Sequence, residues 1–119
     1  MDPDNTRKER HINRSEDSIR SKLSELLLHE IRDPRIPALT SVTKVVLSRE
    51  LGTAQVFVAV PSANEDYSVL LQVLERSSTY LRKRLSDTLN MKKTPKLTFA
   101  IDDDLEVENR LDSMLRNLE

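Results

Sequence analysis

A chain of 119 residues with a single glycine, Gly52, has few ways to turn sharply. Glycine enters the left-handed backbone region without a Cβ clash, and phosphate-cradling loops need several so that amides can converge on an anion. P-loops, dinucleotide fingerprints and the strained elbow of serine hydrolases are therefore absent. Cysteine is absent too, which removes disulfides, thiolate zinc sites and cysteine nucleophiles. The two histidines, His11 and His29, lie far apart without a ligand-like spacing. No cofactor, no metal and no catalytic constellation is expected from such a chain.

Regular elements read clearly. Ile19, Leu23, Leu26, Leu27 and Ile31 recur at helical spacing, with Ser15 as N-cap and a stop near Asp33, the residue restricted by Pro34. Residues 1–13 read as a flexible tail and 14–119 as one domain. The segment Arg32 to Pro37 reads as a stiff, extended connector. Ser41–Ser48 and Thr53–Val60 alternate as two strands of a hairpin turning through Arg49 to Gly52. Leu70, Val73, Leu74, Leu81, Leu85 and Leu89 form an apolar stripe over 65–90. It is broken at Ser77-Ser78-Thr79, whose hydroxyls can bond to preceding carbonyls and bend the helix. Lys96–Ile101 is the last strand, and Leu111, Met114, Leu115 and Leu118 mark a closing helix. The order α-β-β-α-(kink)-α-β-α implies an α+β two-layer domain, a three-stranded sheet with helices on one face.

The net charge of −1 conceals a segregation. Residues 76–96 hold seven cations (Arg76, Arg82, Lys83, Arg84, Lys92, Lys93 and Lys96) against Asp87, a net +6. Residues 101–119 hold seven anions against Arg110 and Arg116, a net −5. Surface helices usually interleave both signs; a one-signed stretch points to a polyanion, with phosphates as the targets. Aromatics are scarce. Tyr80, beside the basic run, is the candidate for stacking on a base, whereas Phe57 and Phe99 read as core. Asp102-Asp103-Asp104 reads as a helix cap rather than a metal site, since neighbouring strand residues point to opposite faces.

The ordered motifs Ile31-Arg32-Asp33-Pro34-Arg35, Thr40-Ser41-Val42-Thr43 and Leu47-Ser48-Arg49-Glu50-Leu51 are followed by Ala54-Gln55-Val56-Phe57-Val58. Further on come Leu81-Arg82 with Leu85, Pro95-Lys96-Leu97-Thr98-Phe99 with Asp102, and Arg110-Leu111 with Leu115. Together they resemble bacterial ribosome-binding factor A over roughly Arg14 to Leu118. The resemblance implies a KH-like fold of the bacterial type, without the glycine clamp of ordinary KH domains. It also implies a role in late maturation of the small ribosomal subunit, including 16S rRNA processing, by binding that rRNA, with a ribosome-associated GTPase as a further partner. The family carries Ala-x-Gly where this chain has Ser77-Ser78-Thr79. If a left-handed residue were required at Thr79, the substitution would cost about 1 kcal/mol.

On this reading the RNA contacts are Arg76, Arg82, Lys83, Arg84, Lys92, Lys93 and Lys96, with Arg35 from the connector. Arg35 has an alternative as half of a local ion pair with Asp33. The competing function is a protein-interaction module whose acidic C-terminal helix docks a basic partner. No apolar run approaches the roughly 20 residues of a membrane helix, and the polar N-terminus does not read as a signal peptide. A cytoplasmic monomer is expected.

Overall fold

Three strands and four helices alternate along the chain of the computed structural model, which describes residues 3–61 and 67–118. They are α1 (Pro3–His29), β1 (Ser41–Leu47), β2 (Thr53–Ala59), α2 (Ser68–Arg76), α3 (Ser78–Leu89), β3 (Lys96–Ile101) and α4 (Leu105–Asn117). The sheet order is β1-β2-β3; β1 runs antiparallel to β2, and β3 runs parallel to it. A parallel neighbour cannot be reached by a tight turn, so α2 and α3 form the crossover.

Alternation decides which face is covered. Val42, Val45, Leu47, Ala54, Val56, Val58 and Leu97 are buried, whereas Lys44, Val46, Gln55, Lys96 and Thr98 are exposed. Ile19, Leu23, Leu26 and Leu27 of α1 close the covered face with Leu70 and Leu74 of α2 and Leu81 and Leu85 of α3. Each fully buried leucine contributes roughly 1.5–3 kcal/mol relative to exposure. This is the two-layer, KH-like α+β arrangement. At Thr43 the β1–β2 register shifts by one residue. The Thr43 hydroxyl donates to the Asp102 carboxylate at 2.6 Å, with the Phe57 carbonyl 3.3 Å away, tying the bulge to the end of β3. The hydroxyl bond holds the Asp102 carboxyl below its ordinary range. Asp102 also accepts the Asp104 amide at 3.0 Å ahead of α4.

Several boundaries depart from the sequence reading. The first helix does not start at Ser15. It starts at Pro3, so the expected tail is helical from there on. Proline at the first helical position is a start signal, and no glycine or second proline interrupts the chain before Pro34. The helix also ends at His29 rather than near Asp33, with the Leu26 carbonyl accepting both the Glu30 and Ile31 amides. The connector is folded, not extended. Its two turns are closed by Ile36 N–H to the Asp33 carbonyl (3.0 Å) and Thr40 N–H to the Pro37 carbonyl (3.2 Å). Proline restricts the residue before it but leaves the following residues free to turn.

The single glycine is not where the turn needs one. In the β1–β2 turn Leu51 takes the left-handed conformation (φ 57°), while a Cβ added at Gly52 would meet nothing within 4 Å. A leucine there costs on the order of 1–2 kcal/mol.

The break at Ser77 falls where the hydroxyl run lies. Ser77 Oγ donates to the Val73 carbonyl at 2.9 Å, and its amide is shared between the Val73 and Leu74 carbonyls. Thr79 lies within α3 and is not among the positive-φ residues, so no glycine is required there.

A candidate nucleic-acid interface

Helix α3 is anchored by Leu81 and Leu85, four residues apart and both fully buried. That spacing fixes the rest of the helix by geometry. Lys83 faces solvent opposite the anchor, and Arg82 and Arg84 are sent to its two flanks. Arg76 stands exposed in the last turn of α2, just before the break. Lys92 and Lys93 lie exposed in the loop after α3. Lys96 opens β3 with its side chain on the face opposite the buried Leu97.

On one flank, the Arg82 guanidinium donates to the Pro95 carbonyl (Nε, 3.0 Å) and the Thr94 carbonyl (Nη2, 3.1 Å). These acceptors are neutral, so the charge of Arg82 is kept while the Lys92–Lys96 loop is fastened beside α3. Among the described residues, Arg76, Arg82, Lys83, Lys92, Lys93 and Lys96 have no ion pair. The field of six cations is therefore uncompensated at short range.

The other flank is different. Arg84 donates to Glu30 beyond the end of α1 (Nε 3.2 Å, Nη2 3.4 Å), and the Tyr80 hydroxyl donates to the same carboxylate. Those bonds, Tyr80's first, hold the Glu30 carboxyl below its ordinary range; the same contacts push the Tyr80 phenol and the Arg84 guanidinium up. Three residues along the connector, Arg35 grips Asp33 through Nε (2.9 Å) and Nη2 (2.6 Å). That fork, with the Arg35 amide, holds the Asp33 carboxyl at about 2. Of the eight cations read from the sequence, six have no ion pair among the described residues: Arg82 and Lys83 on α3, Lys92 and Lys93 in the loop after it, Arg76 at the end of α2 and Lys96 on the open face of β3. Arg84 and Arg35 are held in ion pairs.

Tyr80, the expected stacking residue, belongs to this paired flank. Phe99 packs against the core as expected, but Phe57 does not. It lies on the open sheet face with Lys44 Nζ 4.5 Å from its ring centroid, a cation–π contact missed in the sequence. The register shift at Thr43 brings Lys44 opposite Phe57, and no local pattern announces it. Among the described residues no cluster of His, Cys, Asp or Glu is disposed to hold a metal, and no helix is long and apolar enough to cross a membrane.

A sheet of this order, with a broken crossover helix and a basic loop, has close counterparts among known proteins. A ribosome-binding factor A of Caldicellulosiruptor saccharolyticus is 34% identical over 104 residues, covering 86% of this chain and 77% of that protein. One from Acaryochloris marina is 32% identical over 111 residues, covering 92% of this chain and 80% of that one. The crystal structure of ribosome-binding factor A from Thermus thermophilus superposes with a TM-score of 0.66 at 26% identity, over 76% of this chain and 93% of that one. A homology model of the Thermus thermophilus factor, fitted into a cryo-EM map of its complex with the 30S subunit, gives a TM-score of 0.59 at 26% identity. It covers 71% of this chain and 88% of that one. The family model for ribosome-binding factor A matches residues 11–115, from the middle of α1 into α4 and across every element between, and by that match the chain belongs to the ribosome-binding factor A family.

Proposed function

We propose that this chain binds the small ribosomal subunit by neutralising 16S rRNA phosphates, and that this binding assists late maturation of the subunit. The observation that carries the reading is that Arg76, Arg82, Lys83, Lys92, Lys93 and Lys96, from the end of α2 to the start of β3, have no ion pair among the described residues. A relative's fitted position in a 30S complex supports the choice of partner. The protein acts by binding energy rather than by catalysis, as a cytoplasmic monomer, and a ribosome-associated GTPase is the partner suited to time its release. With the Tyr80 hydroxyl held by Glu30 and the Phe57 ring covered by Lys44, recognition is chiefly of folded RNA shape and backbone.

Co-sedimentation with small subunits across a salt series tests this. Six phosphate contacts predict a log–log slope of roughly −4 to −5, and Lys83→Glu with Lys92→Glu and Lys93→Glu should abolish binding at moderate salt. Binding that ignores both salt and the triple reversal would sink the proposal. A second reading has its own observation. Met114 of α4 and Leu118 just after it are exposed within residues 101–119, a segment of net −5, a surface suited to a basic protein partner. Binding through it would survive salt and the lysine reversals.

A further inference from the structure

Beside the basic loop lies a cavity of about 520 Å³, formed where α1, the β1–β2 turn and the end of α3 meet. Its size falls within the roughly 300–1,000 Å³ of ordinary small-ligand sites. Leu51, Leu89 and Met91 give it apolar walls, each partly buried against the core, and exposed Lys92 and Lys93 stand at its mouth. Among the described residues that line it, Glu50, exposed on the turn, is the single carboxylate, beside the polar His11, Ser15 and Asn90. Of the three non-glycine residues with positive φ among the described residues, two, Leu51 (57°) and Asn90 (53°), line this cavity. Asparagine after a helix adopts that conformation readily, but leucine does not. The strain at Leu51 sits one position from a glycine that has no need of its freedom. It fixes the leucine side chain as part of the wall.

We infer that this cavity receives a single unpaired guanine of the rRNA, its base between Leu51 and Met91 and its phosphate on Lys92 and Lys93. The inference rests on the rRNA-binding reading and gives it a specificity element. Two arguments select the occupant. The lysines at the mouth continue the phosphate-binding surface, so a nucleotide leaving the backbone there brings its own anion to them. A carboxylate has room for two parallel hydrogen bonds, and of the four bases only guanine presents N1–H and N2–H side by side on its Watson–Crick edge to meet Glu50. Adenine and cytosine place an acceptor nitrogen next to their amino group, and uracil flanks its one N–H with carbonyls; a carboxylate repels those acceptors.

Kethoxal, which reacts with the N1 and N2 of unpaired guanine, is the probe, applied to small subunits with the full chain bound. The wild type should protect one guanine. Leu51→Trp, filling the cavity, and Leu51→Gly, relieving the backbone and opening the wall, should both lose that protection. Affinity should fall about tenfold, as for the loss of one buried apolar contact, with the salt slope unchanged. A benzophenone attached through Met91→Cys should crosslink to 16S rRNA. Variants that bind and protect as the wild type does would overturn the inference and leave the phosphate-binding reading standing. A crosslink only to a ribosomal protein would overturn it in favour of an apolar side chain as occupant. A wild type that fails to bind subunits in a salt-dependent way removes both readings.

Discussion

Arg82 and Arg84 are two residues apart on one helix, yet they end in opposite electrostatic states. Arg82 leans toward the loop before β3 and meets only carbonyl oxygens. Arg84 leans toward the end of α1 and meets a carboxylate already holding Tyr80. The α3–loop flank thus presents charge, and the flank beside α1 consumes it. A basic sequence run is therefore not one surface. Which cations are available to a polyanion depends on what the opposite element contributes, a carbonyl or a carboxylate.

Both flanks rest on the same anchor, so the largest effect comes from removing it. Leu85→Ala deletes a fully buried side chain and leaves a cavity under α3, which should destabilise the fold by about 2–5 kcal/mol in denaturant titration. Subunit binding should fall with the folded fraction, on both flanks alike. A loss confined to one flank's contacts would mean that the two are not held by a common core.

A smaller and more selective effect separates the flanks. Arg82→Ala should weaken subunit binding about tenfold and reduce the magnitude of the salt slope by about one, since one phosphate contact is lost. Arg84→Ala should change neither by much. Conversely, Glu30→Gln removes the charge that occupies Arg84, and should strengthen binding and steepen the slope by about one. If Arg82→Ala and Arg84→Ala weaken binding equally, Arg84 exchanges Glu30 for phosphate on the subunit and the contrast between flanks is lost.

Local pattern carried much of this. The alternation of Leu97, Phe99 and Ile101 marks β3 with its observed ends, and the hydroxyl run marks the break at Ser77 because the bond that makes it, Ser77 Oγ to Val73 O, lies within one turn. The outward placement of Arg82 and Lys83 follows from the leucine spacing that orients α3. What stayed hidden is non-local or a matter of backbone choice. Glu30 is 54 residues from Arg84, and Glu16 of α1 accepts the Leu47 amide at 2.9 Å across 31 residues. No periodicity relates such partners. The Glu16 contact fastens the middle of α1 to the end of β1. Leu51 at positive φ runs against propensity, and only the assembled turn reveals it.

The smallest expected effect concerns Arg35, the other cation set aside. Asp33 titrates at about 2 in the folded protein against an ordinary 3.8, because the Arg35 guanidinium and amide both favour its charged form. A depressed folded pKa means that the pair's contribution is fully present above about pH 4 and is lost as pH falls through about 2. Proton binding is then stronger in the unfolded chain throughout that window. Carboxyl NMR should place the Asp33 midpoint near 2, and Arg35→Ala should return it toward 3.8. At neutral pH the fork is intact, so Arg35→Ala should leave subunit binding and its salt slope unchanged. The exposed pair contributes little to stability, and Asp33→Asn should shift Tm only slightly, less at pH 2 than at pH 7. A clear drop in subunit affinity with Arg35→Ala would show that the connector opens its fork on the rRNA, moving Arg35 from the paired set to the available one.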